Sequence, residues 1–513
     1  MNKSIISSVS VVIGALLFNL LFWNEKQGLN TLLFDIFIVV VLWRLDKEPF
    51  STPSVKAIVA GTLLAAVLVV WHNSFLVKFI HVLSFAIMIG LIQQRELRFL
   101  AFALMQYFLN WFAVPFEFLK SIESLPILRG QIQIVKRLKG NVLAILLLPV
   151  FYLIYYAANA KFAELANQFW HQVFSFFTFD INIERILFFI FGLVIVGAAI
   201  WQQKWFNFRE QDAAFDETLT QPETLKADKM TYRNAFNLIV ALNLLLLVNN
   251  VLDIQYVWFG DVAGKTALEL KEYVHEGTYV LIYGILLAIL AILWLFRGDL
   301  NFIENITEGE RIGQNQAFLL RGGTTLWLAQ NALLALSVGI RNMQYILHFG
   351  LAYKRVGVFI FLLLTLYGLR LLYLKIKGKH TFFFFIRRSA YAFYAVLLAT
   401  CFINWDVFIT KFNINVPSKS GSVDVRFLVE DVSDKNLYLL FANAERLAPK
   451  IAQKPFPDSE YREATKIFAN DEERLAYLKA QLNNKKIKFE DEQKSYSWLS
   501  WNYADYVNQQ FFK

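Results

Sequence analysis

Ionisable side chains inside long apolar runs are the first places to look for chemistry, because a charge at mid-bilayer costs roughly 2.5–3.5 kcal/mol. Asp35 stands in the middle of the apolar run Leu29–Trp43, and Lys78 and His81 share one face of Phe75–Gln93 at a spacing of three. Asp35 and His81 together could relay a proton. The same two residues could instead form a purely structural pair, or a short tilted helix could leave Asp35 wet. Lys78 lies close enough to its segment's end to snorkel. Asn243, Asn249, Asn250, Gln330 and Asn331 add polarity to two further apolar runs, as a transport path requires, without outlining a substrate cage.

Other reactive residue types are scattered. His72, His171, His275 and His348 are expected at one membrane face, but their spacing gives no cluster of three or four ligands, so neither a metal nor another cofactor is expected. Asp261, Glu269, Glu272 and Glu276 could act as general acids or bases, yet no paired spacing is visible. Cys401 is the single cysteine and sits in an apolar run, which excludes a disulfide framework. The phosphate-loop, zinc-protease, nucleophile-elbow and dinucleotide-binding signatures are absent. Gly322-Gly323 falls within an apolar run, where small residues permit close helix approach. Asn305-Ile306-Thr307 fits a glycosylation acceptor but lies in a loop expected in the cytoplasm.

The elements that must position these residues follow from composition. Of 513 residues 57% are hydrophobic and 18% charged, with 50 Phe and 13 Trp, against about 45–50% apolar and 25% charged in soluble domains. The fold class expected is therefore all-α, a polytopic transmembrane bundle. A span takes about 20 apolar residues, and twelve candidates exist: Ile5–Trp23, Leu29–Trp43, Lys56–Trp71, Phe75–Gln93, Phe99–Phe118, Val142–Ala158, Ile186–Trp201, Ala235–Leu252, Thr278–Phe296, Ala317–Ile340, Val356–Leu374 and Ala390–Ile403. The first resembles a signal peptide but lacks a cleavage site, and it is expected to stay as a span.

The net charge of +9 comes from this membrane part. Residues from Asp406 to Lys513 hold 16 basic and 16 acidic side chains, leaving 34 of the 50 basic and 25 of the 41 acidic residues to the spans and their loops. Basic loops between spans are what the positive-inside bias produces, so nucleic acid is excluded as a partner and the bilayer is the expected one. Three loops carry the excess: Lys120–Lys139, Lys204–Arg233 and Lys375–Arg388. Placing them in the cytoplasm puts the chain after residue 405 outside, with Arg341, Lys354 and Arg355 as exceptions on that side. Arg44, Lys47, Lys56, Arg95 and Arg98 also belong inside if Phe99–Phe118 does not cross once. Eleven spans with a cytoplasmic N-terminus result, or twelve if that segment crosses.

The division expected is a membrane domain at 1–405 and a soluble, mainly helical domain at 406–513. An amphipathic helix over about 161–177 places Phe162, Leu165, Phe169, Val173 and Phe176 on one face, to lie in the interface. In the tail, Asn436–Leu447 and Asp471–Leu482 are predicted helices, the second opened by a capping box of Asn470 and Glu473. Trp498, Trp501, Tyr503, Tyr506 and Phe511 suggest one last helix docked by an aromatic face. Val423–Glu430 alternates weakly but has no strand to pair with.

Four stretches together resemble a known family. Pro149-Val150-Phe151 with Ala157–Phe162 resembles its span exit, and Tyr273–Tyr279, containing His275 and Glu276, its next span entry. Ser337, Arg341, Tyr345, Gly350, Leu351 and Arg355 follow its spacing, as do Asn404, Asp406, Ile409, Lys411, Asn413 and Ile414. The family is one of bacterial multi-pass membrane proteins known as a domain of unknown function, the 4153/4173 group. Asn159 and Lys161 replace its Asp-Pro, and Ala352 its Thr. The resemblance implies a bacterial inner-membrane protein and no particular reaction.

Combined with the charge-derived topology, it gathers His275, Glu276, Arg341, Tyr345, Arg355 and Asp406 at the outer face, where either Glu276 pairs with Arg341 or Arg355 or each residue merely marks a bilayer boundary. The functional expectation is a cell-envelope protein, not an enzyme, whose C-terminal domain is an interaction or regulatory module for another envelope protein. The alternatives are a transporter and an enzyme acting on a lipid-linked substrate.

Overall fold

The computed structural model describes residues 3–123, 148, 151–152, 154–175, 182–221, 229–259, 267–305, 314–416, 418–419, 423–451 and 468–513. Among these residues the structure is all helical, with no strand and only two isolated bridges, Thr218 to His380 and Val423 to Ile451. Eight helices are long and apolar enough to cross a membrane. The protein is a multi-pass membrane bundle. Two shorter candidates accompany the eight, Leu29–Leu45 of 17 residues and Val280–Leu295, while Val142–Ala158 lies largely outside the described residues. The chain divides into two compact units: Met1–Asp212 with Ser495–Tyr503, and Ala213–Lys494 with Ala504–Lys513.

The first unit contains α1 (Lys3–Phe22), α2 (Leu29–Leu45), α3 (Pro53–His72), α4 (Phe75–Gln93), α5 (Leu100–Glu123), α6 (Ala160–Ser175), α7 (Ile183–Ile200) and α8 (Phe208–Ala213). Local chemistry sets their starts. Pro53 opens α3, where its missing N–H is no loss, and Ser74 caps α4 by accepting from the Val77 N–H. Asn159 accepts from the N–H groups of Lys161 and Phe162 at 3.0 and 3.2 Å, so the Asp-to-Asn departure still caps α6. Leu165 and Phe169 of α6 are exposed. In the packed bundle α2 lies against α1 and α3, and α7 against α1 and α5.

The helix α5 runs alongside the segment that follows α7. Phe102 near its start stacks on Phe208 at 5.5 Å, while Phe116 meets Trp205 at 5.8 Å and Phe118 meets Trp201 at 6.5 Å. Both ends of α5 thus return to the one segment 201–208. Its polar side explains why: Gln106 accepts from Gln94 at 2.8 Å and from Gln203 at 2.7 Å, and Asn110 donates to the Ala198 carbonyl at 2.8 Å. These amides need partners when buried, and they find them at the ends of α4 and α7.

The second unit contains α9 (Lys229–Asp253), extended by a π turn at Ile254–Trp258, then α10 (Ala267–Leu295), α11 (Gln314–Phe349), α12 (Tyr353–Lys377) and α13 (Phe382–Thr400). With 36 residues, α11 is about 54 Å long, well beyond a ~30 Å hydrocarbon core. The tail adds α14 (Trp405–Asn415), α15 (Leu437–Ala442), α16 (Ala444–Leu447), α17 (Asp471–Lys494) and α18 (Tyr503–Phe512).

The cap half of the capping box forms, with Glu473 N–H donating to Asn470 Oδ1 at 2.8 Å, while the Glu473 carboxylate accepts from the N–H of Ala469, one residue before the cap, at 2.8 Å. The single predicted helix 436–447 is two helices, broken at Asn443. The aromatic last helix begins only at Tyr503. Ser497 holds Trp498–Ser500 in a separate 3₁₀ turn by accepting from the Leu499 N–H, and Trp498 is 67% exposed rather than docked. Pro455, Pro457 and Asp458 lie outside the described residues.

The helices α4 and α5 cross closely, and a Cβ on Gly90 would collide with the Ala103 backbone. Gly90→Leu is expected to cost at least about 1–3 kcal/mol by forcing the helices apart. Gly284→Leu, at a position with open space around it, should be near neutral. Thermal unfolding of the two variants in nanodiscs checks the contrast.

Candidate functional site

Two runs of polar residues at helical spacing meet between α9 and α11, which lie parallel. Asn243 donates to the Gly323 carbonyl at 3.0 Å and accepts from Gln330 at 2.7 Å, and Asn250 donates to the Gln330 carbonyl at 3.2 Å. Beyond them Arg341 forms a buried ion pair with Asp253. Trp258 donates to Ser337 at 2.9 Å, and Gln344 to the Val257 carbonyl at 2.9 Å. Positions 243, 250, 253 and 257 on one helix and 330, 337, 341 and 344 on the other each form one stripe. Gly323 lets the helices close, since a Cβ there would stand 3.1 Å from Ile239 Cγ2. Four buried acceptors in this seam, Asn250 Oδ1, Gln330 Oε1, Asp253 Oδ2 and Gln344 Oε1, have no hydrogen-bond partner among the described residues. Asn331 donates to the Trp327 carbonyl of its own helix at 2.8 Å.

The seam ends at the turn between α11 and α12, which the tail completes. Gly350 has φ +85, a conformation that favours glycine, and a Cβ there would strike the Asn413 carboxamide oxygen. That carboxamide takes up both polar groups of Leu351: Oδ1 accepts from its N–H at 2.7 Å and Nδ2 donates to its carbonyl at 2.8 Å. Arg355 donates to the carbonyls of Phe349, at 3.2 Å, and Gly350, and its guanidinium lies 4.5 Å over the Tyr345 ring. Asp406 accepts from the hydroxyls of Tyr353 and Ser433. Ile346 and Leu351 share one apolar core with Ile409, Leu428, Leu437, Leu440, Leu478 and Leu482. A second tie holds α18, where buried Lys435 pairs with Asp505. Burial works against the Lys435 ammonium, but Asp434 and Asp505 hold its pKa above the ordinary value.

Four of the six outer-cluster candidates, Arg341, Tyr345, Arg355 and Asp406, therefore lie on or beside one helix turn. His275 and Glu276 are on α10, and their side chains lie outside the described residues. The carboxylate partner of Arg341 is Asp253, a residue the spacing reasoning did not single out although it follows Asn249 and Asn250 at the end of an apolar run. Asn413, Tyr353 and Ser433 were likewise not recognisable as partners of the turn. Among the described residues no three His, Cys, Asp or Glu side chains converge as a metal site.

In the first unit His81 Nε2 and Asp35 Oδ2 are 2.8 Å apart, both residues buried. Asp35 Oδ1 and His81 Nδ1 are buried without a partner among the described residues. The α1–α2 turn above them is bound by the segment 497–501. Glu25 accepts from the Ser497 N–H at 3.1 Å and from the Ser500 hydroxyl, and Leu29 N–H donates to the Trp501 carbonyl at 3.0 Å.

Removing one member of the Arg341–Asp253 pair strands the other. Arg341→Met is expected to cost about 3–5 kcal/mol, and Arg341→Met with Asp253→Leu to recover most of it, as read by thermal unfolding in nanodiscs. Asn413→Leu strands both polar groups of Leu351, at about 2–4 kcal/mol. Limited proteolysis should then cut the tail faster while the spans stay protected.

The family model described as Domain of unknown function (DUF4153) matches residues 58–440, beginning well before the Val142 from which the motif resemblance runs. Comparison with curated proteins and with solved structures returned no match. The match covers more than half of the chain and takes in the seam, the Gly350 turn and Asn413: the chain belongs to the DUF4153 family of membrane proteins.

Proposed function

We propose that this is a cell-envelope protein of the bacterial inner membrane that works by binding rather than catalysis. In this reading residues 1–405 form the membrane domain. Residues 406–513 form an extracytoplasmic module that engages another envelope protein. The observation that carries the reading is the way the tail is built onto the α11–α12 turn through Asn413, Asp406 and a shared apolar core. A module fixed so firmly to two spans can pass a binding event to them, or receive one.

The side is inferred from charge within each unit taken alone. In the first, Arg95 pairs with Asp46 at 2.6 Å, Arg209 with Glu96 at 2.6 Å, and Arg98 with Asp212 at 3.7 Å, gathering Arg44, Lys47, Arg95, Arg98, Lys204 and Arg209 at the end opposite the α1–α2 turn. In the second, Lys375 donates to the Phe296 carbonyl at 2.6 Å and Arg387 pairs with Glu217, at the end opposite Gly350. The positive-inside bias makes both basic ends cytoplasmic, and with them the N-terminus. Of the three exceptions, Arg341 is occupied by Asp253 and Arg355 by the carbonyls of the turn, which leaves Lys354 as the basic residue that runs against the bias.

A second reading, transport, is favoured by the unpartnered acceptors in the α9–α11 seam and by the Asp35–His81 pair, polar groups of the kind that line intramembrane paths. A C-terminal reporter together with a photocrosslinking residue at exposed Asn484 separates the readings in intact cells. The binding reading expects an extracytoplasmic reporter and a discrete adduct with one envelope protein. A cytoplasmic reporter, or crosslinks to nothing but lipid, would defeat it.

A further inference from the structure

The segment 495–503 has a surface that neither the tail core nor the seam uses. Its backbone is hydrogen-bonded onto residues 25–29, the connection between two spans. The apolar helix α1 ends at Phe22, whose carbonyl accepts from the Glu25 N–H at 3.2 Å, so the segment clasped to Glu25 sits at the end of a spanning helix. Gly28 brings it that close: a Cβ there would stand 2.6 Å from the Ser500 carbonyl oxygen. Tyr503 stacks on Trp71 of α3 at 4.6 Å, and Lys26 covers the Tyr496 ring at 4.8 Å. Side chains at this level are partly to largely exposed: Trp498 67%, Trp501 43%, Trp71 52% and Phe75 85%.

Trp71 and Phe75 end one span and begin the next, and below them Val67, Phe79 and Val82 are also exposed on the same two helices. An apolar face on a spanning helix is covered by lipid, and this one runs up to the level of the segment. Tryptophan and tyrosine concentrate at the headgroup boundary, where an apolar ring and a polar N–H or O–H are both satisfied.

We propose that residues 495–503 form an interfacial strap, with Trp498 and Trp501 seated among lipid headgroups and the backbone clasped to the α1–α2 turn. The partner is the bilayer surface itself. The inference depends on the spans alone, whichever face is extracytoplasmic. The strap makes the end of the tail a membrane-bound element, set at a fixed depth by Glu25, Gly28 and Leu29.

The test is a spin label at Trp498→Cys in the full chain, with buried Cys401 replaced by serine, reconstituted in phosphatidylcholine–phosphatidylglycerol nanodiscs. Accessibility to oxygen against a water-soluble nickel chelate gives the depth, calibrated with headgroup- and chain-labelled lipids. The proposal expects a headgroup depth, with oxygen collisions several-fold above those of a fully hydrated label. A label at bulk-water accessibility overturns it, and so does one shielded from both relaxants, which would mean that protein covers the site. Glu25→Gln with Ser500→Ala in the same background guards against misreading a label that seats itself. Weakening the clasp should move the label toward water, and no movement would show that the turn does not set the strap's depth.

Discussion

The backbone of a turn between two spans has polar groups that neither helix can satisfy, and near the bilayer it has little water to turn to. Asn413 meets that constraint at the α11–α12 turn by taking the N–H and the carbonyl of Leu351 in one carboxamide. Much of the second unit follows from this. Gly350 must be glycine, both for its positive φ and because a Cβ would occupy the space of the Asn413 oxygen. Once α14 is held there, Ile409 and Ile414 fall beside Ile346 and Leu351, and the tail's core grows on that seed. The first unit solves the same problem with different residues. There the α1–α2 turn is completed by Ser500 and Trp501, and again a glycine, Gly28, makes the approach possible.

Buried polarity in this protein is arranged by helical stripe, which accounts for what could be foreseen from the sequence. Membrane class, helix positions and the Asn470 cap of α17 depend on local composition and spacing, and they were legible. Asp35 and His81 were recognisable as rare intramembrane ionisable residues, and the structure brings their side chains together. Asn243, Asn250 and Gln330 were recognisable as polar but not as mutual partners, because their pairing depends on the register of α11 against α9. The same holds for Arg341. Its carboxylate partner is fixed by two parallel helices separated by another span, and no spacing within one segment encodes that. The 498–511 stretch misled for a local reason: aromatic content suggested one docked helix, whereas Ser497 diverts the chain into a separate turn and leaves Trp498 outside it.

The seam between α9 and α11 poses the sharper energetic question. Interhelical hydrogen bonds in membranes contribute only about 0.6 kcal/mol on average, because the separated helices also find partners. A seam of amides is therefore a modest source of stability and a strong source of register, since slipping either helix by one turn would leave Asn243, Gln330 and Asn250 with apolar neighbours. The acceptors left without a partner among the described residues, Asn250 Oδ1, Gln330 Oε1, Asp253 Oδ2 and Gln344 Oε1, do not add to register at all. Each carries the cost of an unmet buried group, about 1–3 kcal/mol, which a purely structural seam would have removed by substitution with leucine.

That remainder links the seam to the turn at its end. Asp253 gives one oxygen to Arg341, while Arg341 stands one helical turn before Tyr345, whose ring lies under Arg355, and Arg355 holds the carbonyls of the Gly350 turn. A contiguous set of charged and aromatic side chains thus runs from the lower seam to the place where Asn413 and Asp406 fasten the tail. Contiguity of this kind is a route for coupling only if one of its elements has two states. The π turn at Ile254–Trp258 comes directly after Asp253. A π segment carries one residue more than the α-helix needs and can return it by a small rotation. Val257 and Trp258 of this turn are the residues that meet Gln344 and Ser337, so the π turn holds the far end of the seam, next to the Arg341–Asp253 pair.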